Sequence, residues 1–144
     1  MKVVKKLLAP VLVVGLLLTS LVTLHHLKDA KKDNVFRIGI SQYITHKSLD
    51  ATRKGFIDEL KKEGYVDGKN IQIDFQNAQG EQRNLKNISK QLAEKSDLVF
   101  AIATPSAQSL ANTTKTTPVV FSAVTDPLAA KLVKNLKEPG GNIT

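Results

Sequence analysis

Hydroxyl and carboxylate side chains gather at two short loops of this chain: Ala103-Thr104-Pro105-Ser106-Ala107 and Ser122-Ala123-Val124-Thr125-Asp126-Pro127. Each loop follows an apolar run and precedes a segment of helical spacing. A helix start presents backbone N–H groups with no intrahelical acceptor, at the positive end of the helix dipole. Such a place attracts a carboxylate. Thr104 or Ser106, with the amides after Pro105, can form that seat. Thr125 adds a hydroxyl, and Asp126 can accept a charged amine. Carboxylate and ammonium receptors on neighbouring loops make an amino-acid site. Thr104 and Asp126, taken singly, also fit as plain helix caps. Their joint placement at two adjacent strand ends points to a ligand, because open α/β sheets bind ligands at the carboxyl ends of their strands.

Other chemistries find little support. The chain has no cysteine and three histidines. Two of these, His25 and His26, follow an apolar run, and His46 has no nucleophile beside it. No Gly-x-Ser-x-Gly elbow, histidine pair or tight carboxylate cluster is present, so neither an enzyme nor a metal site is expected. The loop Ser41-Gln42-Tyr43-Ile44-Thr45-His46-Lys47 lacks the glycines of a dinucleotide fingerprint, and there is no Walker sequence; no cofactor is expected. The formal net charge is +8, but Lys2, Lys5, Lys6, Lys28, Lys31 and Lys32 flank the apolar run. The remaining bases are mixed with acids, as in Asp58-Glu59-Leu60-Lys61-Lys62-Glu63. No basic stretch is interleaved with aromatics, so nucleic acid is not an expected partner.

The elements that must position these loops follow from apolar spacing. Val35–Ser41, Leu98–Ala103 and Pro118–Ala123 are nearly continuous apolar runs, as buried parallel strands are. Asn70–Phe75 alternates strictly, with Ile71, Ile73 and Phe75 on one side, and is predicted to be an edge strand. Leu49, Phe56, Ile57 and Leu60 mark a first helix that Gly64 ends; Leu85, Ile88 and Leu92 mark a second. A third is predicted from Pro105 to Asn112, and a fourth from Pro127 through Leu132, Val133 and Leu136. Strand–helix repeated four times, with right-handed crossovers, gives an α/β fold: a doubly wound parallel sheet of strand order 2-1-3-4.

The first residues are not domain material. Leu7–Leu24 is apolar on all sides and is near the length that crosses a bilayer. A cleaved secretory signal is one reading, with Thr19-Ser20-Leu21 as a poor cleavage site. The lysines before the run favour an uncleaved anchor with its N-terminus inside. The expected organisation is a signal-anchor or transmembrane segment over 1–27, a polar tether over 28–34 and a domain over 35–144, held at the outer side of the cell membrane.

The sequence resembles the substrate-binding proteins of ABC transporters, a type I two-lobed family with tryptophan-uptake members in Gram-positive bacteria. The resemblance rests on Ile38-Gly39-Ile40-Ser41-Gln42, Gly64-Tyr65, Gly68-Lys69-Asn70-Ile71, Asn77-Ala78-Gln79-Gly80, Ala101-Ile102-Ala103-Thr104-Pro105-Ser106-Ala107-Gln108 and Thr125-Asp126-Pro127. It implies a lobe of a periplasmic-binding-protein fold that captures a small solute, an amino acid with an aromatic one such as tryptophan favoured, for an ABC permease. It carries over Gln42, Thr104, Ser106, Thr125 and Asp126 as ligand contacts, with Asn77 and Gln79 as further ones. Two departures stand out. There is no lipobox cysteine, and the family continues past Gly141-Asn142-Ile143-Thr144 into a fifth strand, hinge and second lobe. The chain therefore reads as the N-terminal part of such a protein, with weak or no binding alone and an uncovered edge at its fourth strand. A small flavodoxin-like enzyme or regulatory domain and an inert membrane-anchored fragment are the alternatives.

Overall fold

The computed structural model describes residues 35–144; the expected anchor and tether lie outside the described residues. The elements are β1 (Phe36–Gln42), α1 (Lys47–Lys62), β2 (Ile71–Asn77), α2 (Gln82–Lys95), β3 (Leu98–Ile102), α3 (Thr104–Thr113) and β4 (Val119–Ser122). All strand pairs are parallel, in the order β2-β1-β3-β4. The alternating strand is at the edge and the wholly apolar β3 is inside, as hydropathy demands. The crossover from β1 to β2 runs opposite to those from β2 to β3 and from β3 to β4. Right-handed connections therefore put α1 on one face and α2 with α3 on the other.

Packing follows this division. Leu85, Ile88 and Leu92 of α2 and Ala107 and Leu110 of α3 enclose Val99, Ala101 and Val119. On the opposite face Ile38, Ile40, Ile71, Phe100 and Ile102 form a second cluster. Helix α1 covers it, with Phe56 stacked on Phe100 at 4.1 Å between ring centroids. No residue of α1 is itself fully buried, because that one helix lies over the sheet without a neighbour among the described residues. Gly64 ends α1 at φ +88°. Its N–H donates to Lys61 O (3.1 Å) and that of Tyr65 to Leu60 O (2.8 Å), the Schellman pattern that a left-handed glycine permits.

Two sequence expectations are corrected. The fourth helix is a single turn. Asp126 Oδ1 accepts the N–H groups of Leu128 (3.0 Å) and Ala129 (2.9 Å) and starts it. Lys131, at φ +57°, stops it, as Lys131 N–H meets Leu128 O and Leu132 N–H meets Pro127 O. The stop lets both Leu132 and Val133 enter the core, while Leu136 stays 64% exposed. The edge of β4 is also not bare. Val119 N–H donates to Asn142 O (2.8 Å), Thr144 N–H to Val119 O (2.9 Å) and Phe121 N–H to Thr144 O (2.8 Å). A parallel bridge joins Val119 to Ile143, whose side chain is buried, so burial of that one apolar residue brings the strand-like pairing with it.

Candidate functional site

Register sets the strand ends in a row. Gln42 is level with Asn77 on one side and Ile102 on the other, and Ile102 is level with Ser122. All the loops singled out by their hydroxyls and carboxylates leave the sheet from this one edge. Adjacent loops are stitched together. Ala78 N–H donates to Gln42 O (2.9 Å), Gly80 N–H to Tyr43 O (2.8 Å) and Ala103 N–H to Ser122 O (3.0 Å).

At the end of β3 the backbone is strained. Ala103, the residue before α3, has φ 78° and ψ 154°, a region populated almost only by glycine and costing about 1–3 kcal/mol for other residues. Gln79 after β2 and Ala123 after β4 also have positive φ, 56° each. Strain of this kind gathers where structure serves binding. Ala103 has no side chain able to cap α3, and no cap hydrogen bond is formed. Among the described residues, the N–H groups of Thr104 and Ser106 have no acceptor, and Pro105 has no N–H. Ser106 is wholly buried and its Oγ has no hydrogen-bond partner. A buried hydroxyl left unpaired costs about 1–3 kcal/mol, so α3 begins with several polar groups held ready and unsatisfied. Ser41 Oγ, near the end of β1, is a second buried hydroxyl without a partner. It faces the same side of the sheet as Val99 and Ala101, because it is level with Ala101 in register.

The other sequence-derived residues fall into three situations. Gln42 is fully buried: its Nε2 donates to Ile44 O (2.9 Å) and Asp50 Oδ1 (2.8 Å), and its Oε1 accepts from Arg53 Nε (3.3 Å). This side chain fixes the loop between β1 and α1. Asp126 and Thr125 are exposed, and the Asp126 carboxylate accepts two backbone amides of its own turn. Asn77 bridges loops, donating to Thr45 Oγ1 (3.0 Å) and accepting from Gln79 N–H (2.8 Å). It stands two strand spacings from β3, about 10 Å. His46 caps α1, its Nδ1 accepting from Ser48 N–H at 3.3 Å.

Several residues of this edge escaped the sequence reading. Asp50 and Arg53 brace Gln42, and Arg53 lies over the Phe75 ring at 4.1 Å; their spacing of three along a helix was the available signal. Tyr43 Oη donates to Gly80 O (2.8 Å) and locks the first two loops together. The strain at Ala103 had no signal in the residue type. Among the described residues no group of acidic, histidine or cysteine side chains could hold a metal ion.

Comparison with known proteins gives this edge a context. Residues 37–144 match the model of the family described as ABC transporter substrate binding protein. The chain belongs to that family. The tyrosine-binding protein of Clostridioides difficile (strain R20291) is 52% identical over 117 residues, which cover 81% of this chain and 33% of that relative. The ligand-free, open structure of a substrate binding protein with adhesive properties from Clostridium difficile superposes with a TM-score of 0.75 at 51% identity, over 76% of this chain and 38% of the other. The ABC domain of Streptococcus pneumonia in complex with L-Trp gives 0.72 at 50% identity, over 76% and 37%. The chain thus spans about a third of the length of these relatives, and residues 37–144, which the family model matches, contain the whole edge described above. These relatives are binding proteins. Among the described residues no helix is long and apolar enough to cross a membrane.

Proposed function

We propose that this lobe holds the carboxylate end of a free amino acid, aromatic by preference, as one half of an extracytoplasmic receptor serving an ABC permease. The observation that carries the reading is the start of α3. Two unpaired amides and the orphaned Ser106 hydroxyl lie at the positive end of a helix, beside a backbone strained at Ala103. A carboxylate offers acceptors for such donors. Names of relatives that bind tyrosine or L-Trp support the choice of an aromatic amino acid. Thr104 and Thr125 supply further hydroxyls, and Asp126 lies within the next loop for the ammonium group. Gln42 acts through the β1–α1 loop as a positioning residue. Asn77 and Gln79 sit on the side toward which a large side chain would extend. The lysine-flanked run Leu7–Leu24 suits a signal or anchor that delivers the domain outside the cell.

One lobe covers one side of a ligand, whereas enclosed sites bury most of it. A receptor of micromolar affinity has roughly 8 kcal/mol of binding free energy, and half of that leaves about millimolar affinity. The chain contains no tryptophan, so fluorescence of L-tryptophan itself reports binding. Titration of the full chain should give a dissociation constant of about 1 mM for L-tryptophan or L-tyrosine, weakened about tenfold by Thr104→Ala. No selectivity for the amino acid over its amide, which lacks the carboxylate, would overturn the proposal.

A further inference from the structure

Charge is partitioned between the two faces of the sheet. The ion pairs formed among the described residues, Asp50–Arg53, Lys54–Asp58 and Glu59–Lys62, all lie on α1. The face built from α2, α3 and the turn after β4 is different. Three open hollows of about 760, 510 and 710 Å³ adjoin there. The first two share Lys86, and the first and third share Lys131. Lys90 and Lys134 line the outer two. All four lysines are exposed, and none has an ion-pair partner among the described residues. Glu94 is the single carboxylate lining these hollows. Lysines at this density without compensating acids make a surface of positive potential. The side chains between them, such as Asn112 and Thr116, can donate to phosphate oxygens.

We propose that this lysine-lined face docks on an anionic phospholipid surface. Charge complementarity sets the class of partner, and the sequence selects the source. Only the stretch from His25 to Asn34 separates the apolar run ending at Leu24 from the domain that begins at Val35. An extended chain of that length reaches no further than about 35 Å. If Leu7–Leu24 occupies a bilayer, as the proposed function holds, lipid headgroups are the anionic surface within constant reach of the domain. Lys28, Lys31 and Lys32 in the same stretch add to the attraction. Each lysine near an anionic leaflet strengthens association about fivefold, so four together hold one face toward the membrane and leave α1 turned away.

The test is amine labelling of the full chain in vesicles of phosphatidylcholine alone or mixed with phosphatidylglycerol, read lysine by lysine by mass spectrometry. Flotation with the neutral vesicles reports the anchor independently. In anionic vesicles the labelling of Lys86, Lys90, Lys131 and Lys134 should fall severalfold, and that of Lys54, Lys61 and Lys62 on α1 should not change. Molar salt, with a Debye length of about 3 Å, should restore it. The double substitution Lys86→Gln with Lys131→Gln should remove the protection of Lys90 and Lys134. Floating chain with equal labelling of both faces would overturn the docking while leaving the anchor intact. Protection by soluble polyglutamate but not by anionic lipid would overturn it in favour of an acidic polypeptide.

Discussion

Replacing Ser106 with alanine should stabilise the fold and weaken ligand binding, and the opposed signs are the test. Ser106 and Ser89 are both serines, both in helices and both fully buried. They differ in one respect. Ser89 Oγ donates to Ser109 Oγ at 2.7 Å, whereas Ser106 Oγ has no partner. Deleting an unsatisfied buried hydroxyl removes a penalty of about 1–3 kcal/mol, and alanine adds up to about 0.5 kcal/mol of helix propensity. Ser106→Ala should therefore gain about 1–3 kcal/mol. Ser89→Ala loses a hydrogen bond of about 1 kcal/mol, partly offset by the same propensity, and should cost about 0.5 kcal/mol. The two variants then differ by about 2 kcal/mol, roughly 8 °C or more in Tm for a domain of this size. Urea unfolding of the full chain in mild detergent, followed by far-ultraviolet dichroism, measures the difference. The same Ser106→Ala protein, titrated with L-tryptophan, should bind about tenfold more weakly, the worth of a hydrogen bond to a charged group. Destabilisation by Ser106→Ala comparable to that by Ser89→Ala would mean that the hydroxyl is satisfied within the fold. Unchanged affinity would mean that it is not part of the seat. Either result refutes the argument that α3 stores unsatisfied donors for a carboxylate.

Three further outcomes follow from the geometry. Ala103→Gly should raise stability by about 1 kcal/mol, because glycine adopts φ 78° without strain and loses only part of that gain to unfolded-state entropy; a fall in the urea midpoint would contradict this. Gly39→Ala should cost about 1–3 kcal/mol by overpacking, since its Cβ would stand 2.7 Å from Ser96 Oγ and 3.2 Å from Leu92, a fully buried side chain; thermal unfolding at unchanged Tm would show that α2 yields. Gln42→Ala should cost about 2 kcal/mol, through a cavity and the loss of its hydrogen bonds to three partners, Ile44, Asp50 and Arg53, and should increase hydrogen exchange in the loop from Tyr43 to His46; an unaltered exchange pattern there would remove its positioning role.

What the sequence revealed and what it concealed have separate physical causes. Strand order was legible because burial dictates composition: β2 alternates since one of its faces is wet, and β3 does not since neither is. The end of α1 was legible because Gly64 tolerates a left-handed backbone at no cost. The single turn after Asp126 was not, because Lys131 takes the same left-handed backbone without being glycine. Tertiary burial of Leu132 and Val133 outweighs its preference. Ala103 hid the site in the same way, as a residue of ordinary type held in a glycine conformation by the loops on either side of it. The hydroxyls at Thr104 and Ser106 could be read as candidates, but their types could not separate a cap from a receptor. That distinction lies in hydrogen-bond accounting. Asp126 accepts the amides of its own turn, while Ser106 is buried and accepts and donates nothing. The residue whose local needs are met belongs first to the fold, and the one whose needs are unmet has a free-energy reason to meet a ligand.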